Sequence, residues 1–156
     1  MATNEDFQCV IPLKPIAERK RSWHGGTVRV DLPDRKKYKR SIAGIAKAAM
    51  GSRQLFEGPI LVMLTFERVK PPSWPKRPTK ANTWPSWPWK KPDLSNFVKI
   101  CEDALTGIVW IDDAQICQLI ATKTWSESAQ IDVRVETLPQ VDGMREGANR
   151  RGYATR

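Results

Sequence analysis

Apolar and polar positions alternate from Phe7 to Leu13, a strand pattern closed by Pro15. His24-Gly25-Gly26 is a turn signal, and the β-branched alternation Thr27 to Asp31 after it predicts a second strand in a hairpin with the first. From Asp34 the period changes. Tyr38, Ile42, Ile45 and Ala49 recur at spacings of three and four, which predicts a helix to Met50, stopped by Gly51. Pro59 to Val69 is almost continuously apolar, as expected of a central strand buried on both faces. Asp93 to Leu105 predicts a second helix, capped by Asp93 or Ser95 and ended near Gly107. Val109 to Ile111, Ala114 to Thr124 and Ala129 to Thr137 read as strand material, interrupted by Asp112-Asp113. Beyond Pro139 the chain is polar and basic, which predicts a domain over 1–139 and a flexible basic tail over 140–156. The pattern as a whole predicts a single-domain α+β fold, a mixed sheet of about five strands with two main helices packed on it.

The length of 156 residues suits one domain and a core that needs no disulfide or metal staple. No apolar run approaches the ~18 residues of a membrane span. The opening MATNEDFQC has acids where a signal peptide needs a basic and then an apolar stretch, so a cytoplasmic location is expected. Cys9, Cys101 and Cys117 are too far apart for a zinc motif and read as reduced, mostly buried thiols. With His24 the single histidine, a Ser-His-Asp or Cys-His enzyme is disfavoured.

Charge adds a partner. Lys and Arg number 26 against 17 Asp and Glu, a formal net charge of +9, which points to an anionic partner, nucleic acid before membrane. Arg19, Lys20, Arg21, Lys36 and Lys37 lie in a strongly basic stretch. Its alternative reading is a solvated face. Cations at a helix N-terminus oppose the dipole, however, and a phosphate partner would explain them. Positions 69–92 hold seven prolines, four tryptophans, six basic residues and no acid. Proline excludes a regular element there. Trp74, Trp84, Trp87 and Trp89 beside Lys76, Arg77, Lys80, Lys90 and Lys91 suit base stacking and phosphate contact. Packing of the indoles against the body or a partner subunit is the alternative.

On a helical wheel, Leu94, Phe97, Val98, Cys101, Ala104 and Leu105 gather on one side and Asp93, Asn96, Lys99 and Asp103 on the other. Asp112 and Asp113 follow closely, and strand geometry lets one of the pair face the same site. Carboxylates that converge repel unless a proton or cation lies between them, and Mg²⁺ suits oxygen ligands. Mg²⁺ beside a basic, aromatic surface implies phosphodiester chemistry, with a lysine placed to stabilise the transition-state charge. An ordinary solvated helix face is the alternative.

The stretch KPDLSNFVKICEDALTGIVWIDDAQI, residues 91–116, resembles the signature of the RusA family of Holliday junction resolvases (crossover junction endodeoxyribonucleases). That family shows Pro-Asp-x-Asp-Asn, then Lys, then Asp-Ala-Leu, a Gly and Asp-Asp-x-Gln. A weaker likeness runs over most of the chain, from IPLKP to KAAMGS. The resemblance implies a small homodimeric, Mg²⁺-dependent endonuclease, with Mn²⁺ as a substitute. It implies symmetric nicks in four-way junctions and a bacterial or phage-encoded, often prophage, origin. It assigns Asp93, Asp113 and Asp112, at the first place of the pair, to metal binding, and Asp93, Lys99 and Asp113 to catalysis. Asn96 and Asp103 match further motif positions. The family's second aspartate is Ser95 here, a weaker ligand without formal charge. Either Asp112, Glu102 or Asp103 replaces it, or one metal suffices for slower cleavage, or the chain binds branched or single-stranded DNA without cutting it. A protein-interaction module gripping a partner through the Trp/Pro loop is a separate alternative.

Overall fold

In the computed structural model, residues 6–17, 32–74, 77 and 85–140 are described. The elements in chain order are β1 (Phe7–Ile11), α1 (Leu32–Met50), β2 (Ile60–Val69), α2 (Leu94–Leu105), a 3-10 turn (Asp113–Gln115), β3 (Ile116–Ser126) and β4 (Gln130–Thr137). The sheet order is β1-β4-β2-β3. β4 is antiparallel to both β1 and β2, whereas β2 and β3 are parallel. A parallel pair needs a crossover, and here α2 is the crossover element. The architecture is α+β, with two helices on a mixed sheet, as the periodicity implies.

Four strands are present among the described residues. The expected hairpin partner of β1, Thr27 to Asp31, lies outside them; among the described residues β1 pairs with β4. Val109 to Ile111 is not a strand. Trp110 makes only isolated bridges to Phe56 and Thr106. It is fully buried, its Nε1 donates to Thr106 Oγ1 at 3.1 Å, and Gly107, at φ +77°, donates its N–H to Trp110 O at 2.7 Å. The run is apolar because the turn is plugged into the core. Ala114 and Gln115 likewise belong to the 3-10 turn, which the capping Asp112 starts before β3 begins.

Burial along β2 alternates. Ile60, Val62, Leu64 and Phe66 face the helices, and Phe66 stacks on Phe97 of α2 with centroids 5.2 Å apart. Leu61, Met63 and Thr65 on the other face stay half-buried. The central position expected for β2 is therefore present, but burial on both faces is not, because both helices enter one core on one side of the sheet. On α1 the buried row is Tyr38, Ile42, Ala46 and Met50, each four residues after the last, and Ala49 is exposed. Tyr38 also ties down the segment after β1: its hydroxyl donates to Lys14 O at 2.9 Å and accepts from Ile16 N at 3.2 Å. Burial raises the thiols of Cys9 to about 11 and Cys101 to about 12, so neither is a neutral-pH nucleophile, while Cys117 is exposed. Among the described residues no helix is long and apolar enough to cross a membrane.

Candidate active site

The polar face of α2 is set by its apolar one. Phe97, Val98, Ile100, Cys101, Ala104 and Leu105 are buried, which turns Ser95, Lys99 and Asp103 outward. Two helix-start aspartates behave differently. Asp93 occupies the N-cap of α2, yet its side chain makes no capping hydrogen bond. Asp112 caps the 3-10 turn: its Oδ1 accepts from Ala114 N at 2.8 Å. Gln115 completes that box, accepting from the N–H groups of Ile111 (2.8 Å) and Asp112 (2.9 Å) through Oε1. Its Nε2 donates to Phe56 O (3.0 Å) and Gly58 O (2.9 Å). The Asp-Asp-x-Gln run is thus a fixed turn stapled to the segment before β2, and it leaves Asp113 exposed.

The negative charge of Asp113 acts on Lys99 and Glu102 in the second half of α2. Burial chiefly raises the Glu102 carboxyl above its ordinary value; Lys99 counteracts this, and Asp113 and Asp103 add to it. The Lys99 ammonium is raised first by its hydrogen bond to Asp103, whose Oδ1 is 3.2 Å away. Asp103 also takes Lys39 of α1 on its other oxygen at 2.6 Å. Burial alone would raise Asp103, but hydrogen bonds from Lys39 and Lys99 outweigh it and hold the carboxyl below its ordinary 3.8. A depressed folded-state value stabilises the fold above pH 3.8 and loses that contribution as pH falls through the depressed value. Unfolding midpoints in urea at pH 7 and pH 3 are therefore expected to differ less for Asp103→Asn than for the wild type.

Asp93 stands about 18 Å of helix rise away from the C-terminal end of the 12-residue α2. Its nearby charge is Lys123 of β3. Burial lowers the Lys123 ammonium, with a further push from Arg68, while Asp93 pulls it back up. Lys123 Nζ donates to Lys90 O (3.0 Å) and Pro92 O (2.9 Å), which fixes the chain entering α2. The polar face therefore carries two charge clusters. Asp93 with Lys123 forms one, and Lys39, Lys99, Glu102, Asp103 and Asp113 the other. Ser95, one turn before Lys99, lies between them on the helix.

Of the residues expected to contact DNA, Lys36, Lys37, Arg77, Lys90 and Trp87 are exposed. Arg19, Lys20, Arg21, Lys76 and Trp84 lie outside the described residues. Lys39, Lys123, Gln115 and Trp125 are site residues that sequence patterns do not single out. Gln115 sits inside the motif stretch, but for the others nothing short of the register between α1, α2 and β3 locates them.

The family model described as Endodeoxyribonuclease RusA matches residues 12–136. The chain belongs to the RusA endodeoxyribonuclease family. The match spans both charge clusters and the Trp/Pro loop. A Bacillus subtilis (strain 168) protein described as "Uncharacterized protein YqaN" is 28% identical over 127 residues, 78% of this chain and 89% of that one. RusA membership makes endodeoxyribonuclease activity the general expectation for this site, in agreement with the resemblance carried by residues 91–116.

Proposed function

We propose that the chain is a divalent-metal-dependent endonuclease that resolves four-way DNA junctions by paired nicks, as a homodimer. The observation that carries this reading is the placement of Asp113. The Asp112 cap and the Gln115 staple fix the turn that carries it, its charge acts on Lys99 and Glu102, and Oδ1 of Asp112 is engaged in the turn. A rigid turn that presents one carboxylate to a lysine is what phosphodiester chemistry needs.

The donor chemistry suits a hard cation such as Mg²⁺: the side chains offered are carboxylates, and Asp113 and Glu102 already repel each other. Among the described residues no group of three His, Cys, Asp or Glu side chains is close enough to form a ready-made cage. Mg²⁺ commonly takes one or two carboxylates and completes its shell with water and phosphate oxygens. Asp113 and Glu102 would hold it, while Asp93, about 13.5 Å of helix rise from Glu102, would act at a separate position at the head of the face. When bound, the cation would supply a more acidic water and stabilise the leaving oxyanion. Lys99, fully protonated and oriented by Asp103, meets the charge that grows on the scissile phosphate. Lys39 holds Asp103 from the other side, so Asp103 is a positioning residue and not a ligand. The exposed Lys36 and Lys37 add a phosphate-binding surface on α1.

Self-association has a candidate surface in β3. It is a sheet edge among the described residues, and Leu119 and Ile120 on it are 43% and 55% exposed. Two copies related by a twofold axis would offer two equivalent sites to the two equivalent strands of a junction. The second reading, a junction binder without cleavage, is favoured by Ser95 alone. Single-turnover cleavage across a Mg²⁺ titration separates the two. Wild type is expected to cleave, and Ser95→Asp is expected to need less Mg²⁺ and to cut about tenfold faster, because a charged oxygen ligand then stands on the polar face near Asp93. Activity only in Ser95→Asp would make the natural chain a binder.

A further inference from the structure

Arg68 of β2 and Trp125 of β3 are register partners near the C-terminal ends of the two parallel strands. The segment 85–91 lies across them and encloses an open cleft of about 700 Å³. Its floor is built and not incidental. Trp74 meets Trp125 edge to face with centroids 4.9 Å apart, and Trp125 Nε1 donates to Pro85 O at 3.2 Å. The Arg68 guanidinium lies 5.5 Å from the Trp125 ring. At the rim Trp87 and Trp89 remain 59% and 70% exposed, with the Lys90 ammonium 5.6 Å from the Trp89 ring.

Three features define what this cleft can hold. Large indoles left facing water beside a concavity mark a binding surface and not a core. The charged residues lining it are Arg68, Lys90 and Lys91, with no acid among them. An occupant must therefore combine a flat apolar part with negative charge. Finally, Lys91 and the Asp93 backbone are two residues apart, at most about 7.6 Å between Cα atoms, and Lys123 fastens the link between them. A phosphate held at the cleft would thus belong to the strand that passes the head of α2.

We propose that this cleft takes a single unpaired nucleotide of branched DNA, its base against the indoles and its phosphate against Arg68, Lys90 and Lys91. The proposal rests on the nuclease reading for the kind of DNA, but not for the binding chemistry. Proline-rich peptides also dock on aromatic grooves, yet they bring no charge that would answer three cations. The consequence is a selectivity rule. The protein distinguishes branch points by a base that has left the stack.

The test uses four-way junctions that differ at one position beside the branch point: fully paired, one extra unpaired thymidine, or an abasic residue in its place. Binding is measured by fluorescence anisotropy without divalent metal, so that nothing is cut. The unpaired thymidine is expected to bind about tenfold or more tighter than the abasic junction, since a stacked base contributes ~1–3 kcal/mol. The difference should disappear in Trp87→Ala, whose exposed position spares the core. A 2-aminopurine at the same position should lose fluorescence on binding in wild type only. Equal affinity for base and abasic junctions overturns the proposal, even if Mg²⁺-dependent cleavage of the paired junction shows that the nuclease reading stands. A base preference without cleavage keeps the cleft and overturns the nuclease. Displacement of bound DNA by a proline-rich peptide, with no base preference, would assign the cleft to a protein partner instead.

Discussion

Asp113→Asn is expected to reduce single-turnover cleavage of a four-way junction at least about a thousandfold, roughly 4 kcal/mol of transition-state stabilisation, and to leave junction binding intact or tighter. Removing the carboxylate deprives a cation of its rigid ligand while easing the approach of phosphate. Asp112→Asn is the informative control. Asparagine caps a helical turn as well as aspartate does, and the Asp112 carboxylate is already engaged by Ala114 N at 2.8 Å. This variant should keep its rate within about threefold, far from the loss expected at its neighbour. Equal losses at both positions would show that Asp112 also serves the reaction. Asp93→Asn is expected to behave as Asp113→Asn does.

The second large effect belongs to Gln115. Its amide makes four hydrogen bonds, two to the turn that carries Asp113 and two to the strand-entry segment at Phe56 and Gly58. At ~0.5–1.5 kcal/mol net per bond, Gln115→Ala should destabilise the fold by ~2–6 kcal/mol in urea unfolding. Cleavage should fall further than the lost folded fraction explains, because the turn that aims Asp113 loses its anchor. Gln115→Glu separates the contributions. It keeps the acceptor for Ile111 and Asp112 but replaces the donor to Phe56 and Gly58, so an intermediate loss is expected. A fully stable, fully active Gln115→Ala would mean that the turn is held by something other than this staple.

Much of this was legible in the sequence, and the residues show why. The helix from Asp34 to Met50 and the strand to Val69 carry enough periodicity to be placed by pattern. The polar face of the second helix followed from its apolar one. The misread elements share a cause. Val109 to Ile111 looks like a strand because a buried turn is as apolar as a strand, and only the contacts of Trp110 distinguish them. The two faces of β2 could not be told apart, because Leu61 and Met63 are as apolar as the residues beneath the helices. The roles within the site needed three dimensions. Sequence alone gives Asp112 and Asp113 equal claims, and only the structure shows that Asp112 caps the turn while Asp113 does not. Asp103 reads as a candidate ligand until Lys39, 64 residues earlier, is seen on its carboxylate. Trp125 is an ordinary strand residue until parallel register brings it to Arg68.

The most direct measurement of the central claim compares a four-way junction with a linear duplex of the same arm sequence. Wild type and Asp113→Asn are each incubated with Mg²⁺ and with a chelator, and the cut sites are mapped on every strand. Symmetric paired nicks in the junction by wild type with Mg²⁺, an intact duplex, and no nicks from Asp113→Asn or in chelator are the predicted result. An uncut junction, or a duplex nicked as readily as the junction, would contradict the account.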